Sequence, residues 1–375
     1  MKVFLNAIIV HTLLNTYVFV RGWQLLPKKN IVRTPYVLAF SIELSIYLVG
    51  FFAAESLPLN ILHPIMILGT SWMVLIMYLA GLLMLFDLVK IVSRYVKAIR
   101  SKINLGSVTL RRAYFIFSLV VVIGLMLHGN YRFWNPVVTE VDISIDKKAS
   151  KNQLKVVVVS DIHVGYLINK DVLKMYVDRI MAQNADLILI VGDIIDYDLR
   201  PLIEERHEEE FRRLKAPYGV YAVTGNHEYR LNSEEKIKWL SEKADLTVLR
   251  DQAICVDSLL CIVGREDYKA PDRRFLYELM ADVNKDLPVI VINHEPHDLD
   301  EEVENGVDLA VYGHTHNGQL FPNNLLIKFL YELGFGYKKK EDTNIYVTSG
   351  LGLSGPQYRI GTISEIVVFN LKFKN

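Results

Sequence analysis

Two absences mark the first third of this 375-residue sequence: one long stretch carries no charge, and no cleaved signal peptide is recognisable. Residues 64–86 contain no Asp, Glu, Lys or Arg, and further apolar stretches cover about residues 3–20, 34–54 and 113–129. Each is close to the roughly 20 residues that a helix needs to cross a bilayer. No basic segment or small-residue cleavage site frames the first stretch, which argues against a signal peptide. The sequence therefore predicts an N-terminal α-helical transmembrane bundle of about four helices at residues 1–130.

Lysine and arginine are absent from the loop at about residues 55–63 but frequent in and beside the other two loops. These basic residues are Arg21, Lys28, Lys29, Arg33, Lys90, Arg94, Lys97, Arg100, Lys102, Arg111 and Arg112. Loops rich in basic residues stay in the cytoplasm. We therefore predict a multi-pass protein of the cell (inner) membrane with an extracytoplasmic C-terminal part, whether or not the first stretch inserts. Glu43 lies within the second stretch and is expected to face the other helices, either for function or as a structural contact.

The second part of the chain carries a net negative charge, in contrast to the first. Residues 1–150 carry 15 Lys and Arg against 6 Asp and Glu, whereas the remainder carries 27 against 36. An acidic domain is poorly suited to bind nucleic acid, because that binding depends on cationic side chains that displace counterions from phosphates. We expect no nucleic-acid partner. The acidic balance suits a site that concentrates metal cations.

Cysteine is the scarcest residue type, with only Cys255 and Cys261. Asp257 and Ser258 lie between the two apolar, β-prone runs that contain these cysteines, and this pattern predicts a hairpin. Across the hairpin the two side chains would either form a disulfide, which a compartment outside the cytoplasm allows, or pack as small apolar residues.

The sequence changes character near residue 131. Residues 131–152 lose the preceding hydropathy and are predicted to be a polar linker to a domain at residues 153–375. In that domain apolar runs of strand length alternate with helical segments, among them residues 171–182 and an acidic helix at about 204–214. The runs cover residues 154–160, 186–191, 218–224, 287–292, 308–312, 345–348 and 365–370. This alternation predicts an α/β layered domain, a β-sheet core flanked by helices.

Polar side chains that can bind metals follow five of these runs. The segments S-D-I-H, V-G-D-I-I-D, T-G-N-H-E, N-H-E-P-H and G-H-T-H supply Asp161, His163, Asp193, Asp196, Asn226, His227, His294, His314 and His316. Ligands bind beyond the carboxyl ends of strands in open α/β sheets, so we expect these groups to meet at one edge of one sheet. Packing does not account for so many polar groups in that place.

Carboxylate, amide and imidazole ligands together suit Mn, Fe or Zn better than Mg or Ca, and their number exceeds the need of one ion. The five motifs, in this order, resemble those of the calcineurin-like metallophosphoesterases. The resemblance covers about residues 154–370, and the preceding helices are similar to those of membrane-anchored members. It implies a metal-dependent phosphoesterase with two divalent ions, manganese being one candidate.

The resemblance also implies a role for each residue. The first ion would be held by Asp161, His163 and His316. The second ion would be held by Asn226, His294 and His314. Asp193 would be shared by both ions. His227 would protonate the leaving oxygen, oriented by Asp196, or would only hydrogen-bond the phosphate. The nucleophile would be a hydroxide held between the two ions. Gly192, Gly225 and Gly313 would let the backbone come close to the metals.

No motif identifies the substrate. Residues 320–340 combine Leu, Phe and Tyr side chains with three consecutive lysines, and they form either a helix in a lipid headgroup layer beside the site or a helix packed on its own domain. Arg359 is predicted either to bind a substrate phosphate or to be an ordinary surface arginine. Glu228, His297 and Gln319 either support the ligands or pack as ordinary polar side chains.

The sequence thus predicts a membrane-anchored phosphohydrolase that cleaves a phosphate ester or pyrophosphate bond in a lipid-linked or envelope substrate. Its partners would be the lipid bilayer and a phosphorylated small-molecule or lipid substrate. The alternatives are a phosphodiesterase that acts on a soluble substrate and a non-catalytic membrane sensor or scaffold with an inert metal fold. The complete motifs argue against the sensor, because Asp193, Asn226 and His227 are all present.

Overall fold

The computed structural model describes residues 2–54, 56–96 and 104–374. Contacts between residues divide the chain into two compact units. The first comprises Met1–Asn130 with Gly355–Gln357, and the second comprises Tyr131–Ser354 with Tyr358–Asn375. The apolar stretches belong to the first unit, and the five motifs belong to the second.

Four helices correspond to the four apolar stretches: α1 (Lys2–Trp23), α2 (Asn30–Phe52), α3 (Leu59–Val92) and α4 (Val108–Trp134). Among the described residues, three segments are long and apolar enough to cross a membrane: Asn30–Gly50, Leu59–Val92 and Val108–Trp134. A small core joins the helices, with Val18, Ile76 and Val122 fully buried. Many other apolar side chains of these helices are exposed. Helices that are apolar on their outer surface are typical of membrane spans, and the prediction of about four apolar helices is confirmed.

Glu43 is buried within the first unit, as predicted. Its Oε1 atom lies 3.0 Å from Nε2 of His11 in α1. Asn15, one turn further along α1, accepts a hydrogen bond of 2.9 Å from Nε1 of Trp72 in α3. These polar contacts join α1 to α2 and α3, and contacts of this kind hold helices together where the surroundings are apolar.

The second unit contains two six-stranded sheets. The first has the order β1-β12-β2-β3-β4-β5 and the second the order β10-β11-β9-β8-β7-β6. Strands β2 to β5 pair in parallel in the first sheet, and β7, β8, β9 and β11 pair in parallel in the second. The strands are β1 (Val137–Lys148), β2 (Gln153–Val159), β3 (Leu187–Val191), β4 (Val220–Val223), β5 (Thr247–Val248), β6 (Gln252–Val256), β7 (Leu260–Gly264), β8 (Val289–Ile292), β9 (Leu309–Tyr312), β10 (Gly336–Lys340), β11 (Thr343–Val347) and β12 (Glu365–Lys374).

Seven helices accompany these sheets: α5 (Lys170–Met181), α6 (Arg200–Glu205), α7 (Glu208–Phe211), α8 (Ser233–Glu242), α9 (Leu276–Leu279), α10 (Asp300–Glu304) and α11 (Asn323–Leu330). Helix α5 begins where Oδ1 of Asn169 accepts the N–H of Val172, and it buries Val172, Tyr176 and Ile180 at helical spacing. This helix is confirmed. The acidic helix predicted at residues 204–214 is divided between α6 and α7, because Arg206 between them has a left-handed backbone.

The core of the second unit lies in three layers of buried side chains. Val156, Val158, Ile290 and Val311 belong to the layer between the two sheets. The outer face of each sheet has its own buried cluster, to which helices such as α5 and α9 contribute. The prediction of an α/β layered domain is confirmed, with two facing sheets in place of one.

The predicted linker at residues 131–152 contains a strand. Residues 137–148 form β1, which pairs in parallel with β12 from Val137 opposite Glu365 onwards. Its side chains alternate, with Ile143 and Ile145 buried and their neighbours exposed. The predicted polar linker therefore contains an edge strand that buries one face only, and the polar residues that alternate along its other face lower the mean hydropathy.

The two cysteines face each other in the predicted hairpin. Strands β6 and β7 are antiparallel with Cys255 opposite Cys261, and the two side chains form a disulfide. The alternative of two separate, small apolar side chains does not hold in this structure.

Candidate metal centre

The residues predicted to bind metal follow strands of both sheets. Asp161, Asp193 and Asn226 come after β2, β3 and β4 of the first sheet, whereas His294 and His314 come after β8 and β9 of the second. The sequence led us to expect these side chains at one edge of a single sheet, and this expectation is corrected. The side chains lie where the carboxyl ends of two facing sheets converge. Loops from both sheets supply the side chains of one centre.

Within the part of the chain that the structure describes, three groups of side chains lie close enough to hold a metal ion. In each group the potential ligand atoms are all within 4.8 Å of one another. The groups are Asp161, His163 and His316; Asp193, His294 and His314; and His163, Asp193 and His227. The first group is the set predicted for the first ion, and the second joins the predicted shared carboxylate to two ligands predicted for the second ion.

The first group is compact. Nε2 of His163 and Nε2 of His316 are 3.1 Å apart, and Nε2 of His316 is 3.3 Å from Oδ1 of Asp161. Bonds of about 2.0–2.1 Å from one ion to two imidazoles place the nitrogens roughly 3 Å apart. The spacing of these atoms therefore fits a single ion.

Asp193 lies between the two groups. Its Oδ2 atom is 3.2 Å from Nε2 of His294 and 3.7 Å from Nε2 of His163. Asn226, which is also predicted for the second ion, has Oδ1 2.9 Å from Nδ1 of His314. A carboxylate in this position can be shared by two ions, which is the role that the resemblance implies for Asp193.

Hydrogen bonds from the backbone orient the two carboxylates. Oδ2 of Asp161 accepts the N–H of His314 at 3.0 Å and the hydroxyl of Ser160 at 2.7 Å. Oδ1 of Asp193 accepts the N–H of His227 at 2.8 Å. In each case one oxygen is held by the protein and the other faces the centre, an arrangement typical of metal ligands.

Two buried ligand atoms support a metal in this place. Oδ1 of Asp161 and Nε2 of His294 are buried and have no hydrogen-bond partner among the described residues. His294 donates its other ring N–H to the backbone oxygen of Val191 at 2.9 Å, which turns Nε2 toward the centre. Buried polar atoms without partners are costly, and divalent cations at the two positions would satisfy both atoms. The donor set therefore fits a pair of metal ions.

The charges of the centre also favour cations. Burial alone would raise the pKa of Asp161 and of Asp193, but contacts with neighbouring imidazoles hold both well below their usual range. Burial would lower the pKa of His163, but the carboxylates of Asp161 and Asp196 raise it to about 10. Asp193 raises the pKa of His294 in the same way. Protons on the imidazoles of His163 and His294 thus supply positive charge that divalent ions would supply instead.

The ring of His227 is held by Asp196. Nδ1 of His227 lies 2.8 Å from Oδ1 of Asp196 and 2.9 Å from its backbone oxygen. Because both neighbours are acceptors, Nδ1 carries a proton. Nε2 lies on the side of the centre, 3.9 Å from Oδ2 of Asp193. Buried Lys236 donates to the backbone oxygen of His227 at 2.6 Å, a contact that the sequence analysis missed.

Glu228 ties the loops of the centre together. Its carboxylate accepts the backbone N–H groups of Asp193, Ile195 and Gly225 at 3.1, 2.8 and 2.7 Å. The sequence left open whether this residue supports the ligands, and the structure supports that role. Burial and the charge of Asp193 raise the pKa of Glu228 to about 7.

Two glycines allow the close approach of these loops. A Cβ atom on Gly225 would lie 2.3 Å from Oδ1 of Asp193, and one on Gly313 would lie 1.9 Å from the hydroxyl oxygen of Ser160. Neither distance is possible between non-bonded atoms. Glycine is therefore required at both positions for the carboxylates to take their places.

The prediction for Arg359 is wrong. The residue is 0% exposed, and its guanidinium donates to the backbone oxygens of His316, Gly350 and Gly352. A side chain enclosed in this way is neither a surface arginine nor placed to bind a substrate phosphate. It holds the loop of His316 against the loop at residues 350–352.

His297 and Gln319 have different surroundings. His297 is half-exposed and contacts the carboxylate of Glu295, and its ring stacks on Tyr331 with centroids 5.8 Å apart. The backbone oxygen of Gln319 accepts the hydroxyl of Thr362 at 3.2 Å. Both lie beside the ligands in sequence, but neither belongs to a group that could hold a metal among the described residues.

Comparison with known proteins agrees with this geometry. Residues 154–318 match the family described as Calcineurin-like phosphoesterase. The chain is 31% identical over 281 residues to an uncharacterized metallophosphoesterase of Campylobacter jejuni, a match that covers 70% of this chain and 71% of the relative. It is 32% identical over 267 residues to one of Helicobacter pylori, covering 68% and 70%. A protein of Danio rerio named "Transmembrane protein with metallophosphoesterase domain" is 32% identical over 254 residues, covering 63% and 57%.

Proposed function

Because the chain belongs to the calcineurin-like phosphoesterase family, a family of metal-dependent phosphoesterases, we propose that it is a membrane-anchored phosphohydrolase with two metal ions. The observation that carries this proposal is the position of Asp193, whose Oδ2 atom faces both His294 and His163. One ion would be held by Asp161, His163 and His316, and the other by Asn226, His294 and His314. Asp193 would bind both ions.

The two ions would supply chemistry that the side chains alone do not, namely activation of water and neutralisation of charge. Two divalent ions bound there would activate a water molecule and neutralise the negative charge of the phosphoryl group. Imidazole, amide and carboxylate donors together favour Mn, Fe or Zn. The protein's part is to fix the donors through Ser160, the backbone N–H of His227 and the carboxylate of Glu228.

His227 moves a proton in this proposal. Its Nδ1 proton is held by Asp196, and Nε2 lies on the side of the centre where a leaving oxygen would be. His227 would therefore donate the Nε2 proton to the leaving oxygen, as a general acid does.

The domain is proposed to face away from the cytoplasm. Basic residues cluster before helix α4 and near its start, and the positive-inside rule keeps such a cluster in the cytoplasm. Four precede the helix, Arg94, Lys97, Arg100 and Lys102, and two lie near its beginning, Arg111 and Arg112. A crossing by α4 puts the second unit on the opposite side. The disulfide between Cys255 and Cys261 supports this orientation, because disulfides persist mainly outside the cytoplasm.

The substrate is proposed to be a lipid-linked or envelope phosphate ester or pyrophosphate. Only Asn135 and Pro136 separate α4 from β1, so a two-residue connection tethers the second unit to a helix that would cross the bilayer. A site in that position meets substrates that are themselves held in the membrane. A soluble phosphodiester is the alternative.

The test is turnover by the purified full-length protein after chelation and after addition of Mn²⁺. Chromogenic monoesters and diesters are compared with phospholipid-type and pyrophosphate-linked lipid substrates in detergent. The variant Asp193→Asn removes the shared carboxylate, and Asp171→Asn, an exposed residue of α5, is the matched control. We expect metal-dependent turnover that only Asp193→Asn abolishes. Two bound metals without turnover of any substrate would favour the sensor.

A further inference from the structure

An apolar surface lies on helix α11. The exposed fractions of Leu325, Leu326, Phe329 and Leu330 are 45%, 58%, 86% and 73%, and no residue of the helix is buried. Positions 325, 326, 329 and 330 share one face, because residues four apart are neighbours on a helix. Single exposed apolar side chains are ordinary, but a contiguous group of this kind marks a surface that meets another apolar phase. The predicted alternative, a helix packed on its own domain, holds for the opposite face, where the side chain of Ile327 lies against Gly334; the four apolar side chains stay outside that contact.

This helix is joined to the metal centre at both of its ends. It begins five residues after the short 3-10 helix His316–Gly318. After it, the backbone oxygen of Gly334 accepts the hydroxyl of Thr315 at 2.7 Å, and Thr315 lies between His314 and His316. The ring of Tyr331 contacts the ring of His314, with centroids 6.4 Å apart. Whatever α11 binds is therefore held beside the candidate metal ligands.

A cavity of about 320 Å³ adjoins the helix on its inner side. Asn317, Ile327, Tyr331 and Phe335 are among the residues that line it. Asn317 follows the ligand His316 in the chain, so the cavity connects the surroundings of the metal loop with the apolar helix.

Charged residues border the apolar surface. Lys328 lies in the last turn of α11 and is exposed, as is Lys339 in β10. Lys338 and Lys340 pair with Glu332. Apolar side chains bordered by lysines are the arrangement of helices that lie in the interface of a membrane with anionic headgroups. Two turns of helix are small for a protein interface, which needs roughly 20–30 residues a side.

We propose that α11 inserts its apolar face into the lipid–water interface of the bilayer that anchors the chain. The inference rests on the proposed membrane anchoring. Lys328 then lies at the level of the headgroups, and the loop of His314 and His316 faces them. The metal centre receives phosphate groups of membrane-held molecules from the interface without their extraction into water.

The test labels α11 in the full-length protein, reconstituted into vesicles of phosphatidylethanolamine and phosphatidylglycerol. Phe329→Cys carries an environment-sensitive fluorophore; the native cysteines are joined to each other. Ile203→Cys in α6, an exposed apolar position of the same unit, is the matched control. Vesicles with and without bromine on the acyl chains are compared. We expect the label at 329 to emit at shorter wavelength and to lose at least about half of its intensity to bromine, as for a helix buried in the interface, and the label at 203 to do neither.

Each other outcome has a distinct meaning. Protein that floats with the vesicles but shows no quenching at 329 overturns the inference. Protein that does not float contradicts the anchoring itself. A blue shift that depends on the ratio of protein to lipid and not on bromine assigns the surface to a second copy of the chain, and this also overturns the inference.

A second variant measures the consequence for turnover. Phe329→Ser with Leu330→Ser changes two exposed side chains, so the fold is retained. Loss of their interfacial burial predicts about ten-fold slower turnover of a phospholipid-type substrate in vesicles, with turnover of a water-soluble ester unchanged. Equal turnover of the vesicle substrate would contradict the inference, whereas absence of turnover of both esters in the parent protein would contradict the proposed function.

Discussion

Nδ1 of His227 lies 2.8 Å from a carboxylate oxygen of Asp196 and 2.9 Å from the backbone oxygen of the same residue. The backbone contact keeps the ring in place, and the carboxylate adds a negative charge. The position of the His227 ring and the negative charge beside it thus depend on two different oxygen atoms of Asp196. A mutation can therefore remove the charge and keep the backbone contact.

The first prediction concerns proton donation by His227. His227→Ala is expected to lower kcat about 10²–10⁴-fold for a substrate with an alkyl leaving group. The loss should be much smaller for a nitrophenyl ester, whose leaving oxygen needs no proton. Asp196→Asn should reproduce this difference to a lesser extent, because the backbone contact remains. Equal losses for both esters would show that His227 only hydrogen-bonds the phosphate.

The second prediction concerns metal binding and pH. Without metal, the carboxylates of Asp161 and Asp196 raise the pKa of His163 from 6.5 to about 10, so at neutral pH a metal must displace a proton. Metal affinity should therefore rise with pH up to about 10. Titration calorimetry at pH 7 in two buffers of different ionisation enthalpy measures the proton release, and no release would contradict the prediction.

The same pKa sets the stability of the metal-free protein. A raised pKa means that the proton on His163 stabilises the folded state. That contribution is complete below pH 6.5 and is lost as the pH rises through about 10. Thermal unfolding of the chelated protein should thus show a falling Tm over this window, and saturating metal should remove the fall.

The third prediction concerns Glu228, which accepts three backbone N–H groups. Glu228→Gln replaces an acceptor oxygen by an NH₂ group that cannot accept, so at least one buried N–H loses its partner. We expect the free energy of unfolding to fall by about 1–3 kcal/mol and metal affinity to fall with it. Glu235→Gln, at an exposed position of α8, should change neither. Unchanged unfolding of Glu228→Gln, measured by thermal denaturation, would argue against the support role.

The fourth prediction follows from the burial of Arg359. Arg359→Met keeps the length of the side chain but removes the hydrogen bonds that the guanidinium donates to the backbone oxygens of His316, Gly350 and Gly352. We expect a loss of about 2–5 kcal/mol in the free energy of unfolding and an unchanged KM for a soluble ester. Arg359→Lys should restore part of the stability. A raised KM with unchanged Tm would restore the original prediction of a substrate contact.

The sequence was most informative where chemistry depends on residue type. Asp161 and His163 follow a strand directly, and the buried runs before such motifs leave little choice of structure. The second facing sheet was not predictable from these runs, because a buried strand has the same composition whichever sheet it joins. Pairing is decided by contacts between residues far apart in the chain, such as Val137 with Glu365.

The burial of charged residues was the second feature that the sequence did not predict. Arg359 and Lys236 are both buried, and sequence alone gives arginine and lysine an exposed position by default. For Lys236 a signal existed: it lies four residues before the buried Leu240, on the inner face of α8. Arg359 lies in a loop, where no periodicity indicates which way a side chain points.

The backbone itself prepares the centre. Five of the predicted ligands have a positive φ, between 49° and 68°: Asp161, His163, Asp193, His314 and His316. Non-glycine residues adopt this conformation at a cost of about 1–3 kcal/mol each, and here folding bears that cost before any ion arrives. Capture of a metal then requires little movement of the chain, so its rate should be governed by how fast the ion sheds water. An ion that loses water slowly would enter late even where its final affinity is high.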